Sequence, residues 1–235
     1  MRNYIILNGI SSETITGLLI QNLPPISKPK QRVNIEEIDG RDGDIVTYLG
    51  YGAYDKEFKI GLYGSYNVDE IIEYFNSQGT VIFSNEEDKY YNYQIIEQID
   101  FDKLIRYRTA TVKMHMQPFK YSAEDNQKVF SNTGGETSIS IRNVGNIYSR
   151  PIITITGSGS IDLYLNGNQL FSINMGSYTS ITIDTNNMNA YNDSTLLNRN
   201  VTGSYDNFKL NVGSNTISWS GTITQIEIDN YSRWI

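Results

Sequence analysis

The sequence alternates most cleanly in RTATVKMHMQ, residues Arg108–Gln117. Its apolar side chains occupy every second position: Ala110, Val112, Met114 and Met116. The polar side chains lie between them: Thr109, Thr111, Lys113, His115 and Gln117. Because side chains of a β-strand point to opposite faces in turn, this period predicts a strand with one buried and one solvated face. We expect Pro118 to end the strand, since proline cannot donate a ladder hydrogen bond.

Other apolar runs on the N-terminal side of this strand predict that the first half of the chain is also mainly β. These runs are Tyr4–Leu7, Thr14–Ile20, Tyr54–Tyr63, Thr80–Ser84 and Lys89–Ile99. Each is rich in β-branched or aromatic residues and is bounded by turn-forming ones.

A hairpin is predicted after the Pro-rich segment 22–31, which should be an extended connector. Two apolar runs, Arg32–Ile38 and Asp44–Leu49, are separated by a short Gly-containing segment. This order is typical of strand, turn and strand. The predicted tip consists of Gly40, Arg41, Asp42 and Gly43.

One segment has helical periodicity instead. Asn67 is a suitable N-cap for a helix over 68–78, and Gly79 is a suitable C-terminal stop. The apolar face of this helix would consist of Ile71, Ile72 and Phe75. We predict a single helix of about three turns.

Periodicity is lost over 120–136, which contains Gly134-Gly135, and we place a domain boundary here, dividing the chain into 1–132 and 133–235. Short strands at even spacing then predict a sandwich or jelly roll. The predicted strands are Thr137–Arg142, Pro151–Thr156, Ser160–Leu165, Gln169–Met175, Thr179–Asp184, Phe208–Val212, Thr216–Ser220 and Thr222–Asp229. The Asn-rich stretch 185–200 is expected to be the longest loop.

Composition excludes several kinds of chemistry. The chain has no cysteine and one histidine, His115, so thiolate sites are absent and a Ser–His–Asp triad is disfavoured. Carboxylates cluster at predicted turns and are expected to be solvated. We therefore expect no catalytic residues, no metal and no cofactor, and we predict that the chain is not an enzyme. The net charge of −7 argues against specific nucleic-acid binding. Since no apolar run approaches the roughly 18 residues of a membrane helix, we expect no membrane insertion.

The order of these features resembles the distal tail protein (Dit) family of long-tailed, non-contractile bacteriophages of Gram-positive hosts. In the first domain the resemblance rests on the hairpin tip at 40–43, the helix at 68–78 followed by TVIFS, and the closing strand Arg106–Tyr121. In the second it rests on Val144-Gly145-Asn146, Arg150–Gly159, Leu210–Asn215 and Arg233-Trp234-Ile235. The resemblance extends over nearly the whole chain.

The resemblance implies a mainly β fold. The first domain would be a β-sandwich with one α-helix and a belt-like hairpin arm, and the second a galectin-like β-sandwich. Six copies would close into a ring, either single or as two stacked rings, between the tail tube protein and the tail-tip hub. A receptor-binding protein would be a further partner. The hairpin tip, Gly40 to Gly43, is our candidate for the contact between subunits. DNA would pass through the channel of the ring. The protein would be made in the host cytoplasm and located in the virion tail.

An alternative is that the second domain is a carbohydrate-binding module for the host receptor. Galectin-type sugar binding uses a cluster of His, Asn, Arg, Glu and a stacking Trp. The only histidine lies in the first domain, and Trp219 and Trp234 lie on late strands without such a cluster. The sequence therefore favours assembly over sugar binding.

Overall fold

The computed structural model describes residues 2–75, 77–124, 128–132 and 135–235. The chain divides into two compact units, Met1–Ala123 together with Ile235, and Glu124–Trp234. The domain boundary predicted between residues 132 and 133 lies further along the chain than the division between these two units, which follows Ala123. The roles assigned to the two domains stay predictions. Gly134 of the predicted boundary lies outside the described residues. Each unit is rich in strands and has its own hydrophobic core, which confirms the mainly β fold class.

The strands of the first unit are numbered in chain order. They are β1, Ile5–Leu7; β2, Ile10–Ser11; β3, Leu18–Ile20; β4, Gln31–Glu37; β5, Asp44–Tyr51; β6, Tyr54–Leu62; β7, Gln78–Phe83; β8, Lys89–Gln94; and β9, Thr109–Ser122. Seven of them lie in one antiparallel sheet in the order β2-β1-β7-β8-β9-β6-β3, and β4 pairs with β5 in a separate two-stranded sheet. The helices are α1, Val68–Tyr74, and α2, Phe101–Tyr107.

Strand β9 confirms the predicted alternation. Its buried side chains are Ala110, Val112, Met114 and Met116, each at most 3% exposed. The strand does not end at Pro118 as predicted, but continues to Ser122. Its ladder to β8 skips from Met116 to Lys120, so Pro118 lies in a bulge where no ladder N–H is required.

Helix α1 begins as predicted and ends earlier. The side chain of Asn67 accepts a hydrogen bond of 3.1 Å from the N–H of Asp69. The helix ends at Tyr74 rather than at 78, and Gly79, the predicted stop, lies inside β7. Ile72, assigned to the buried face, is 46% exposed. A helix of two turns therefore buries a narrower face than the three-turn helix that was predicted.

Helix α2 was not predicted. It begins after Asp100, whose carboxylate accepts a hydrogen bond of 2.8 Å from the N–H of Lys103. It ends at Tyr107, and the residue that caps it, Arg108, has a left-handed φ of 58°. Leu104 is its buried residue. With a single buried apolar side chain, this helix has almost no periodic signal.

The strands of the second unit continue the numbering. They are β10, Lys128–Ser131; β11, Ser138–Asn143; β12, Ile152–Leu165; β13, Asn168–Asn174; β14, Ser180–Asp184; β15, Asn189–Asn192; β16, Thr195–Leu196; β17, Val201–Gly203; β18, Gly213–Asp229; and β19, Arg233–Trp234. The long strands β12 and β18 pair along nearly their whole length. Their flanks differ, because β14 pairs with the first half of β12 and β13 with the second half.

Two pairs of predicted strands are each one long strand. The runs predicted at 151–156 and 160–165 form β12, and those at 216–220 and 222–229 form β18. The register between these strands shifts near Gly157, and Gly221 has a φ of 92°. Glycine here lets the strands bend without ending, which curls the sheet into the sandwich.

Two further predictions in the second unit need correction. The segment 208–212 is not a strand; it forms only an isolated bridge between Leu210 and Ser149. The Asn-rich stretch 185–200 is not one loop, because it contains β15 and β16. Composition favoured a loop, but Ala190 is fully buried and anchors β15 against β14.

Candidate interaction surface

The hairpin β4–β5, residues 31–51, is called the arm below. Its register pairs Gln31 with Tyr51 and Glu37 with Asp44, which confirms the predicted hairpin. The turn follows from its glycines, since Gly40 and Gly43 have φ values of 81° and 78°. Arg41 and Asp42, the other two candidates, lie at the exposed tip between them. The four tip residues are thus brought together, and their role in an interface stays a prediction.

One side of the arm is an exposed apolar face formed by two cross-strand pairs. Val33 lies opposite Tyr48, and Ile35 lies opposite Val46. Ile35 is 55% exposed and Tyr48 is 70% exposed. A two-stranded hairpin is at best marginally stable in water, and a row of exposed apolar side chains is typical of an interaction site. This apolar face, defined by these four residues, is the main candidate surface.

The connector that leads into the arm is held against the first unit by side chains. Lys56 of β6 donates a hydrogen bond of 2.6 Å to the carbonyl oxygen of Pro25, and Asn85 donates one of 3.3 Å to that of Pro24. Asn22 accepts one of 2.7 Å from the N–H of Lys59. The arm therefore leaves the unit from a fixed base, although its own strands are exposed.

Lys56 belongs to a buried polar network that was not predicted. It is 4% exposed, and its ammonium lies 5.2 Å from the centre of the Tyr91 ring. Burial lowers the pKa of Lys56 to about 8; the carboxylate of Glu86 opposes this shift, and Lys120 adds to it. Lys120 donates a hydrogen bond of 2.7 Å to Glu86, which also accepts one from the Tyr91 hydroxyl.

Glu86 was expected to be a solvated turn acid, and this is wrong. Its side chain is only 10% exposed, because β6, β8 and β9 each contribute a buried neighbour: Lys56, Tyr91 and Lys120. The neighbouring Tyr54 hydroxyl is buried without a hydrogen bond to any described residue. Its burial, together with the Glu86 carboxylate, raises the pKa of Tyr54 to about 12. The sequence carries no periodic signal for such a network, since lysine and glutamate normally indicate surface.

His115 lies on the polar face of β9, as predicted. Its Nδ1 lies 2.8 Å from a carboxylate oxygen of Asp55, and Lys113 contacts the same carboxylate at 3.2 Å. The hydrogen bonds from His115 and then Lys113 hold the pKa of Asp55 below its usual value. No nucleophilic side chain forms a hydrogen bond with His115 in the described part of the chain.

The described residues contain no group of three His, Cys, Asp or Glu side chains placed to hold a metal ion. Nor do they contain a helix that is long and apolar enough to cross a membrane. In the second unit, the carboxylate of Asp184 accepts hydrogen bonds from the N–H groups of Asn186 and Asn187. That carboxylate stabilises its own turn.

No family model matches the chain, and no curated protein sequence matches it either. Among solved structures it is similar to the Dit protein of SPP1, described as a paradigm of the hub adsorption apparatus of phages that infect Gram-positive bacteria. That match has a TM-score of 0.66 and 14% identity, and covers 97% of this chain and 99% of the other. The chain has a Dit fold. A second match is a chain in the structure of the phage P2 baseplate in its activated conformation, with a TM-score of 0.50, 13% identity and 97% coverage of both chains. The resemblance seen in the sequence is thus confirmed at the level of the fold.

Proposed function

We propose that this Dit-like chain is a structural protein of a phage tail tip. In this proposal six copies form a ring that joins the end of the tail tube to the hub or baseplate. The fold, shared over nearly the whole chain with a protein of a phage hub, supports this function. The observation that carries the ring is the arm, whose apolar face is exposed in a single chain.

A closed ring uses a heterologous contact, in which one surface of a subunit meets a different surface of its neighbour. The arm suits such a contact because its apolar face makes a surface that the rest of the subunit leaves uncovered. Fully burying one large apolar side chain contributes about 1.5–3 kcal/mol. Four such side chains at each of six contacts would stabilise the ring substantially, even after the cost of association.

The proposed partners follow from this position. They are other copies of the chain, in a single ring or in two stacked rings, together with the tail tube protein, the hub protein and a receptor-binding protein. DNA passes through the channel of the ring without sequence-specific binding. The protein is proposed to be made in the host cytoplasm and to act in the virion tail without catalysis.

The test is the mass and shape of the purified protein. Six copies of 26.7 kDa give a particle of about 160 kDa. Light scattering behind size-exclusion chromatography should show this mass or twice it, and negative-stain images should show a sixfold ring with an open channel. A protein that stays monomeric at high concentration, alone and with the tube and hub proteins, would overturn the proposal.

A second candidate function is carbohydrate binding by the second unit, because it contains a polar groove. The groove has a volume of about 520 Å³. Its polar lining includes Asn168, Asp206, Asn207, Lys209 and Asn211. Side-chain amides offer a donor and an acceptor together, which matches neighbouring hydroxyls of a sugar.

The two candidates are separated by saturation-transfer NMR with neutral methyl glycosides. Transfer to a glycoside that is lost in Asn207→Ala/Asn211→Ala and kept in Asn186→Ala, an exposed amide elsewhere in this unit, would support the groove. Absence of transfer to any glycoside would eliminate this candidate and leave the ring unaffected.

A further inference from the structure

Charge is segregated along the arm. From 36 to 44 there are five carboxylates and one guanidinium, a net charge of −4. These residues are Glu36, Glu37, Asp39, Arg41, Asp42 and Asp44. The connector and the first residues of β4, from 22 to 32, carry Lys28, Lys30 and Arg32 and no acid, a net charge of +3. We call the first segment the acidic tip and the second the basic foot.

These charges have no oppositely charged partners within the described part of the chain, although Glu36 accepts a hydrogen bond of 2.9 Å from the Asn34 amide. None of them takes part in an ion pair there, and each is exposed to solvent. A strand advances about 3.4 Å per residue, so the tip begins, at Glu36, about 14 Å from Arg32, the nearest charge of the foot. That distance exceeds the screening length of about 8 Å at physiological salt. The arm therefore cannot neutralise its own ends.

The foot also contains a cavity of about 330 Å³, here called the basic notch. It is lined by Lys30, Gln31, Arg32, Val33, Gly52 and Ala53. It forms where the arm's ladder is irregular: Arg32 pairs with Gly50 but Val33 pairs with Tyr48, which leaves Leu49 as an extra residue. A hydrogen bond of 2.8 Å from the N–H of Gly52 to the carbonyl oxygen of Lys30 fixes the base of the arm.

We propose that the basic notch receives the acidic tip of a second copy of this chain. The volume is within the range of sites that bind small ligands, so it can hold the side chains of a turn. Its two cationic side chains, Lys30 and Arg32, complement the carboxylates of Asp39 and Asp42. The inference rests on the proposed ring, and adds which end of each arm meets which part of its neighbour.

A tip-to-foot contact has direction, which the apolar face alone does not provide. A row of branched and aromatic side chains can pack against many apolar surfaces in several registers. Opposite charges at the two ends permit one order, tip of one copy to foot of the next, and disfavour tip to tip by repulsion. A directional contact of this kind is what a closed ring requires.

The experiment uses charge reversal at each end of the full chain. One variant carries Asp39→Lys and Asp42→Lys at the tip; the other carries Lys30→Glu and Arg32→Glu at the foot. Each alone should need about tenfold more protein, or more, to assemble. The tip variant presents three cations at the turn 39–42 to a cationic notch, and the foot variant presents an acidic notch to an acidic tip. A matched control, Glu13→Lys with Glu73→Lys, changes exposed carboxylates outside the arm and should assemble like the unmodified chain.

The decisive measurement is whether combining the two charge reversals restores assembly. An equimolar mixture of the two variants should assemble again, because each reversed tip then meets a reversed foot and each natural tip meets a natural foot. An even-numbered ring accommodates this alternation. A chain that carries both reversals should also assemble alone.

Three outcomes would overturn the inference. If single reversals assemble like the unmodified chain, the ring stands and the tip-to-foot contact does not. If the reversals prevent assembly and neither combination restores it, the charges meet another surface, such as one on a tube or hub protein. An unmodified chain that stays monomeric at high concentration, alone and with the tube and hub proteins, would remove the ring together with this contact.

Discussion

The ammonium of Lys56 donates a hydrogen bond of 2.6 Å to the carbonyl oxygen of Pro25. This bond joins a core strand of the first unit to the connector from which the arm begins. It uses a cation that is 4% exposed and has a pKa of about 8. The position of the arm's base therefore depends on a charge that the interior disfavours.

Replacing Lys56 with methionine should change how stability depends on pH. The pKa of Lys56 is lowered by folding from its ordinary 10.5 to about 8. Between these values the unfolded chain binds more protons, so the unfolding free energy should rise as the pH increases from about 8 to about 10. Urea unfolding across this range should show a larger rise for the unmodified protein than for Lys56→Met. Lys59→Met, the same change at an exposed position of β6, should behave like the unmodified protein, and equal rises in all three would contradict the assignment.

Removing the carboxylate of Glu86 should strongly lower the free energy of unfolding. Glu86→Ala leaves the buried ammonium of Lys120 without its partner at 2.7 Å, and leaves the Tyr91 hydroxyl without its acceptor. Breaking one side of a buried ion pair typically costs about 3–5 kcal/mol. Glu87→Ala is the control, since Glu87 is exposed and accepts a solvent-exposed hydrogen bond from the Tyr4 hydroxyl; its loss should lower the free energy of unfolding far less. If chemical denaturation gives Glu86→Ala and Glu87→Ala similar losses of unfolding free energy, the buried network contributes little to stability.

In the second unit, Asn215→Ala should destabilise the sandwich by about 2–4 kcal/mol. The side chain of Asn215 is fully buried. It accepts a hydrogen bond of 2.9 Å from the N–H of Asn211 and donates one of 2.8 Å to the carbonyl oxygen of the same residue. Asn211→Ala removes an exposed amide and keeps that backbone, so its thermal midpoint should stay close to that of the unmodified protein. A small effect of Asn215→Ala would mean that water replaces these bonds.

Substitutions on the arm should separate assembly from folding. Ile35→Ser with Val46→Ser removes apolar surface from the arm's apolar face. Because Ile35 is 55% exposed and Val46 43% exposed, the unfolding free energy of the single chain should change little. The protein concentration needed for assembly should rise at least about tenfold. Thr47→Ser on the opposite face is the control, and assembly that is insensitive to the apolar face would point to another surface.

The sequence predicted those elements whose pattern is local. The hairpin tip at 40–43 follows from glycines that adopt a left-handed φ, and the buried face of β9 follows from strict alternation. Asn67 was recognised as a cap because its side chain acts on the next turn of the same chain.

What the sequence did not reveal depends on contacts distant in the chain. Glu86 is buried only because β6, β8 and β9 surround it, and no local rule distinguishes it from a solvated turn acid. Helix α2 buries only Leu104, too little for a periodic signal. The glycines at 157 and 221 predict strand ends, because glycine favours turns. Whether a strand bends or stops there is decided by the strands that pair with it.

The pairing of β12 with β18 also sets the order in which the second unit can fold. Ile152 pairs with Asp229 and Leu165 with Ile217, so the central ladder joins segments separated by most of the unit. Contacts of this kind form slowly, because a long loop must close before they stabilise anything. The sandwich cannot close on the ribosome until β18 has been synthesised, and until then the apolar strands before it remain exposed. A truncation within β18 should therefore prevent folding of the entire second unit rather than remove one strand from its edge.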